Sequence, residues 1–300
     1  MKNTFGTSVT MTVFGESHGE AVGVVLDGVA PGIEVDENYM KACLARRAPS
    51  MTTDTARREN DEFRILSGVF SGKTTGTPIC IIVPNENQRS KDYEYGIARP
   101  AHADFSANQK YHGFEDYRGG GHFSGRVTAG IVAGGAILQK ALQDIGVTVA
   151  THISECAELH DKAFDDIKSD RLNLDCAKFP VLDEDVASGM IKAIEQAKAD
   201  GDSVGGIVET AISGIPSGVG EPWFDSVEGV LSHALFSIGG VKGVEFGEGF
   251  AIAKKRGSEA NDVLEYEDGK VVVSRNSNGG VNGGITNGAD VIFRCAVKPT

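Results

Sequence analysis

Long apolar runs are missing from this sequence, and none approaches the ~20 residues that span a bilayer. No membrane span is expected. The N-terminal MKNTFGTSVTMTVFGESHG also lacks the apolar core of a secretory signal. Positive charge is scarce: 29 Lys and Arg stand against 42 Asp and Glu, a net −13. A nucleic-acid surface needs a basic stripe, so that class of partner is excluded. An anionic small molecule would have to be drawn in by a local cationic site, since the overall field opposes it. Cysteine is sparse and unpatterned. Cys43, Cys80, Cys156, Cys176 and Cys295 are odd in number and never spaced as CxxC. That excludes a zinc site and a disulfide framework; no metal is expected, and free thiols place the chain in the cytoplasm. No repeat, low-complexity segment or linker divides residues 1–300, so one domain with a sizeable core is expected.

Glycine, at 39 residues, is plentiful, and its one triple run falls in Ala98–Arg126, ARPAHADFSANQKYHGFEDYRGGGHFSGR. This stretch has almost nothing to bury, yet it holds three of the seven histidines and three arginines. Arg99 and His102 flank the rigid Pro100, and Gly119-Gly120-Gly121 lets the backbone come close to something. A cation, an imidazole and a glycine turn suit an anion with a planar partner. Loops are polar by default, but so concentrated a set favours a site over a connection.

Upstream, residues 8–14 alternate as a strand running into Gly15-Glu16-Ser17-His18-Gly19. The pentapeptide fits Gly-x-Ser-x-Gly, but a nucleophile elbow needs a helix after the serine, and Val22–Gly28 reads as a strand. A serine hydrolase is therefore rejected in favour of a polar hairpin presenting His18. Residues 36–47 predict a helix capped by Asp36, with Tyr39, Met40, Cys43 and Leu44 on one face. Arg46, Arg47, Arg57 and Arg58 crowd its end, and guanidinium forks match phosphate and carboxylate. Phe63–Phe70 and Ile79–Val83 predict a hairpin. The glycines of Gly68–Thr74 are too close for a P-loop.

Further on, Ser124–Ile145 predicts an Ala/Gly-rich buried helix whose Gly130, Ala133 and Gly134 admit a neighbouring backbone. Residues 183–198 and Ser226–Ile238 predict amphipathic helices, the second closing on Gly239-Gly240. Residues 204–212, 241–253 and Ala289–Val297 predict strands. Hairpins with few β-α-β alternations favour an α+β fold over a doubly wound sheet.

Arg99-Pro100-Ala101-His102-Ala103-Asp104, the triple glycine before Ser124-Gly125-Arg126, Phe14–Gly19 and Lys298-Pro299-Thr300 together resemble the ordered motifs of chorismate synthases. The resemblance runs through nearly all 300 residues. It implies a β-α-β sandwich of antiparallel sheets around central helices, assembled as a homotetramer. It implies trans-1,4-elimination of phosphate from 5-enolpyruvylshikimate-3-phosphate to chorismate, the last shared step toward aromatic amino acids. The cofactor would be reduced FMN without net redox change, with NADPH as a reductant. His18 matches the histidine that protonates the departing phosphate, and His102 the one that protonates reduced flavin. Arg46, Arg47, Arg99 and Arg126 match substrate-binding arginines. His122, Phe123, Ser124, Gly239, Gly240, Gly283, Lys298, Pro299 and Thr300 match contacts to FMN.

The family pattern often has Gly at Ala101, Arg at His122 and Asn-Ala at Gly239-Gly240, and its arginine run continues where Ala48–Thr52 stand. The family also continues past Lys-Pro-Thr with further ligand-gripping residues and a closing helix. An alternative expectation follows: an inactive fragment that keeps part of an FMN or anion site.

Overall fold

A computed structural model describes residues 2–51, 53–54, 57, 59–88, 91 and 93–300. Arg58 and Thr52 lie outside the described residues. The backbone gathers into two compact units, residues 1–142 and 143–300.

The first unit begins with β1 (Thr4–Gly6), β2 (Thr10–Gly15), β3 (Ala21–Asp27) and helix α1 (Glu37–Arg47). Then come β4 (Arg64–Ser67), a small hairpin of β5 (Val69–Phe70) and β6 (Lys73–Thr74), and β7 (Ile79–Pro84). The main strands pair antiparallel in the order β1-β2-β3-β7-β4. Val22, Val24 and Leu26 of β3 and Ile79, Ile81 and Val83 of β7 alternate inward and are wholly buried. They meet Met40 and Leu44 of α1 and Ala129, Ala133, Ala136 and Ile137 of α3 (Thr128–Asp144). Asp36 caps α1 by accepting from the Tyr39 amide, as expected. The small residues of α3 act as expected too: a Cβ on Gly130 would stand 2.6 Å from the Gly23 carbonyl oxygen in β3.

Three expectations shift in this unit. The strand predicted over Phe63–Phe70 breaks at Gly68, whose φ of +82° turns the chain and leaves Phe70 exposed. The helix predicted from Ser124 starts at Thr128, because Ser124 caps a 3-10 turn, Gly125–Val127, by accepting from the Arg126 amide. The stretch 98–126, read as loop, contains α2 (Asp104–Tyr111). That helix buries only Ala107, so it had no apolar period to read.

The second unit runs β8 (Thr148–Cys156), β9 (Leu159–His160), α4 (Ile167–Cys176), α5 (Glu184–Ala199), β10 (Gly206–Ser213), α6 (Val227–Leu235) and β11 (Val241–Phe246). It continues with α7 (Gly257–Ala260), hairpins of β12 (Leu264–Glu267) with β13 (Lys270–Val273) and β14 (Val281–Asn282) with β15 (Ile285–Thr286), and β16 (Val291–Val297). Its antiparallel sheet has the order β11-β16-β10-β8-β9. Asp183 caps α5, and Met190 is fully buried among Ile153, Val186 and Ile194. His152 is buried 2.7 Å from Asp161 and 3.2 Å from Glu209. Two elements are shorter than their patterns. Helix α6 stops at Leu235, and the strand predicted over 241–253 stops at Phe246, where Gly247 at φ +55° leads into a 3-10 turn, Gly249–Lys254. Antiparallel sheets with helices make the fold α+β, as the sequence indicated. No helix among the described residues is long and apolar enough to cross a membrane.

Candidate active site

His18 sits in the tight connection between β2 and β3, where Gly15 pairs with Val22. The turn closes on itself through the Gly19 amide donating to the Glu16 carbonyl at 3.1 Å. Ser17 and His18 are buried, and the His18 ring stands edge-on to Tyr93 with centroids 5.3 Å apart. Ser17 is no nucleophile here: Arg57 donates to its Oγ at 2.7 Å and to its carbonyl at 3.1 Å, and a strand follows. Arg57 also pairs with Glu59 at 2.7 Å. Burial alone would push the Glu59 carboxyl up. Its bond from Arg57, the Glu86 and Asn87 amides and the nearby Arg126 charge outweigh that, and the net shift is downward.

His102 lies at the entrance to α2. Its Nδ1 is 2.7 Å from Asp104 Oδ1 and 3.1 Å from Arg99 Nη2. A carboxylate only accepts, so Nδ1 carries the hydrogen and Nε2 is the nitrogen turned to the site. Arg99 grips Asp104 with Nε and Nη2 at 2.8 and 2.9 Å. That hydrogen bond holds the Asp104 carboxyl well below the usual carboxylate range and raises Arg99 in turn.

The two imidazoles share one wall, the triple glycine. Gly119, Gly120 and Gly121 all have positive φ, at +60°, +79° and +54°. A Cβ on Gly119 would stand 3.1 Å from His18 Nε2 and 2.7 Å from Ser17 Oγ. A Cβ on Gly120 would stand 3.0 Å from His102 Cε1 and 3.4 Å from its Nε2. The Ser17 amide donates to the Gly121 carbonyl at 3.0 Å, fastening the glycine loop to the His18 turn. Beside His102, a cavity of about 470 Å³ is lined by Arg99, Asp104, Gly120 and Phe123 together with tyrosines 93 and 117.

A buried carboxylate organises the arginines. Asp61, with 1% of its side chain exposed, accepts from Arg47 Nε and Nη2 at 3.0 and 2.7 Å and from Arg126 Nη1. Arg126 also donates to Asn85 Oδ1 at 2.8 Å and the Pro84 carbonyl at 2.9 Å, so all three of its nitrogens are engaged inside the wall. Arg47 keeps a partly exposed edge. Arg46, on the outer side of α1, reaches Cys43 Sγ at 3.3 Å. The structure thus brings His18, His102 and Arg99 around one glycine loop, with Arg126 tied to the His18 turn through Asn85, Arg47 tied to Arg126 through Asp61, and Arg46 on the outer side of α1. Asp61, Asn85 and Glu59 were missed by the sequence reading. The acidic residues directly after Arg57-Arg58 were the available signal.

Of the residues matched to cofactor contacts, His122 donates from Nδ1 to the Gly15 carbonyl at 2.7 Å, and Phe123 is exposed. In the second unit, the Lys298 amide donates to the Gly240 carbonyl at 2.9 Å, and Thr300 bonds Ser203 Oγ. Gly283, at φ +61°, lies in the turn joining β14 to β15.

This arrangement has close relatives. The sequence profile of the chorismate synthase family matches residues 9–300. A chorismate synthase of Thermococcus kodakarensis is 44% identical over 297 residues, 98% of this chain and 82% of the relative. One of Cytophaga hutchinsonii is 45% identical over 307 residues, 100% of this chain and 84% of the relative. A solved structure described as the crystal structure of chorismate synthase superposes with a TM-score of 0.82 at 28% identity, covering 98% of this chain and 85% of that one. Matches running through every motif above favour the enzyme over an inactive binding fragment. The chain belongs to the chorismate synthase family.

Proposed function

We propose that the chain performs its family's reaction: elimination of phosphate from 5-enolpyruvylshikimate-3-phosphate to give chorismate, a carbon–oxygen lyase step. The observation that carries this reading is the pair of imidazoles whose Nε2 edges face one glycine wall, with Arg99 beside His102 and Arg126 joined to the His18 turn through Asn85. His18 would hold a proton for the departing phosphate, because phosphate leaves more readily as its charge is neutralised. His102, whose Nδ1–H is held by Asp104, would present Nε2 to the site as the nitrogen that takes up and gives back a proton. Arg99 and the exposed edge of Arg47 supply forks for the anionic groups of the substrate, a role that Arg46, on the outer side of α1, does not share. Arg126 acts from behind, by fixing Asp61 and through it Arg47.

The residues present fit reduced FMN. The cavity of about 470 Å³ beside the glycine wall has room for a flat ring, with the exposed ring of Phe123 in its lining and the Ser124 hydroxyl next in the chain. His122, Phe123 and Ser124 would hold the cofactor in the first unit. Gly239, Gly240, Gly283 and Lys298–Thr300 carry the same assignment in the second. When bound, reduced FMN supplies an electron-rich ring to a reaction with no net redox change, with NADPH as reductant. Assembly as a homotetramer in the cytoplasm belongs to the same proposal.

The test is chorismate formation under anaerobic conditions with reduced FMN. His18→Ala and His102→Ala should each lose about 10²–10⁴-fold in turnover while FMN still binds. Near-normal turnover in both variants would sink the assignment.

A further inference from the structure

We infer that Asn85 is a positioning residue for His18, bracing it against the buried arginine–carboxylate cluster; this rests on the role proposed above for His18. Asn85 follows the end of β7, and its own amide donates to the Glu20 carbonyl at 3.0 Å. A side chain at a strand end needs no further partner. This one spends its whole amide on distant groups. Nδ2 donates to the Glu16 carbonyl at 3.0 Å and to the Gly19 carbonyl at 2.9 Å, and Oδ1 accepts from Arg126 Nε at 2.8 Å. Both ends of the amide therefore face partners of fixed character, carbonyls on one side and a guanidinium on the other.

The two carbonyls bracket His18 in sequence, one just before Ser17 and one just after the histidine. The turn cannot slide or rotate without breaking one of them. The brace is stiff because its anchor is stiff: Arg126 is buried and also held by Asp61 and Pro84. Arg57 and Gly121 hold the turn at Ser17, but neither touches the residues beyond His18. Gln88 Nε2 adds a bond to the Gly19 carbonyl at 2.8 Å, without reaching Arg126. Asn85 is thus the joint through which the cluster that holds Arg47 also holds His18. A reacting group misplaced by about 1 Å can lose on the order of 10²-fold in rate, so such a joint matters to turnover.

Asn85→Asp tests this, since it keeps an oxygen for Arg126 and removes both donors to the turn. Asn85→Ala removes the donors without adding charge and serves if the first variant fails to fold. Each is made in the whole chain loaded with FMN. Expected are a fall of at least about tenfold in kcat, KM for the substrate within about twofold, and displaced imidazole nitrogen resonances of His18. The His18 resonances are assigned by their loss in His18→Ala. Unchanged kcat and unmoved His18 resonances would overturn the inference, even if the melting temperature dropped. If His18→Ala itself turns over normally, the acid role of His18 fails. The resonance displacement then decides the positioning by itself.

Discussion

Ala101 occupies φ +57°, a conformation in which an L side chain crowds its own backbone at a cost of roughly 1–2 kcal/mol. It stands where the family pattern often has glycine. Ala101→Gly should relieve that strain, against about 0.4–1 kcal/mol lost to the freer unfolded chain. The net expectation is a gain of about 0.5–1 kcal/mol in urea unfolding with turnover retained; a loss of stability would show that the methyl is needed. Next along, Asp104 ties Arg99 to His102 with a depressed folded pKa. Such a group stabilises the fold above its unfolded pKa of about 3.9 and stops doing so as pH falls through the lower folded value. The stability gap between the parent and Asp104→Asn should therefore hold from pH 7 to about pH 4 and close in more acidic solution. Thermal melts across that range would show it, and a gap already closing near pH 6 would assign the pH dependence elsewhere.

At the scale of elements, the packing of α3 on β3 depends on a glycine facing a glycine. Gly130→Ala drives a methyl into the Gly23 carbonyl, an overpacking cost of about 1–3 kcal/mol that outweighs the roughly 1 kcal/mol alanine gains in a helix. Gly135, five residues on and so on another face of the helix, has nothing within 4 Å of its would-be Cβ. Gly135→Ala should stabilise by up to about 1 kcal/mol, so two identical substitutions in one helix should have opposite signs in denaturant melts. This contact was legible beforehand, because a run of Gly and Ala on a helix face announces a close backbone. So were α1 and α5, where a capping aspartate precedes an apolar stripe. Helix α2 was not legible, since it hides one alanine and shows solvent the rest. The site divides along the same line. His18, His102, Arg99 and the triple glycine lie in ordered motifs of unusual composition. Asp61 and Asn85 draw their meaning from partners 14 to 69 residues away, which no local pattern encodes.

For the molecule as a whole, each unit has its own core, and each core holds a buried thiol. Burial pushes the Cys156 and Cys295 thiols up, so both stay protonated and slow to react, while Cys176 is exposed. A thiol reagent should modify Cys176 first in the native protein. In rising denaturant, Gly130→Ala should bring forward the labelling of Cys43 and leave the midpoint for Cys295 in place; a common shift of both would mean that the two cores melt as one. Strand order has a consequence in time as well. In the first unit the sheet is complete once β7 has been made, and α3 closes its core soon after. In the second, β16 fills the gap between β11 and β10, although it is the last of those strands to be synthesised. At ribosomal speed, β10 waits on the order of ten seconds for its neighbour. During translation the edge of β10 is a row of unpaired amides and carbonyls, and crowding or a slow codon downstream would prolong that exposure. A chaperone that shields nascent strands would raise the yield of this protein through its second half.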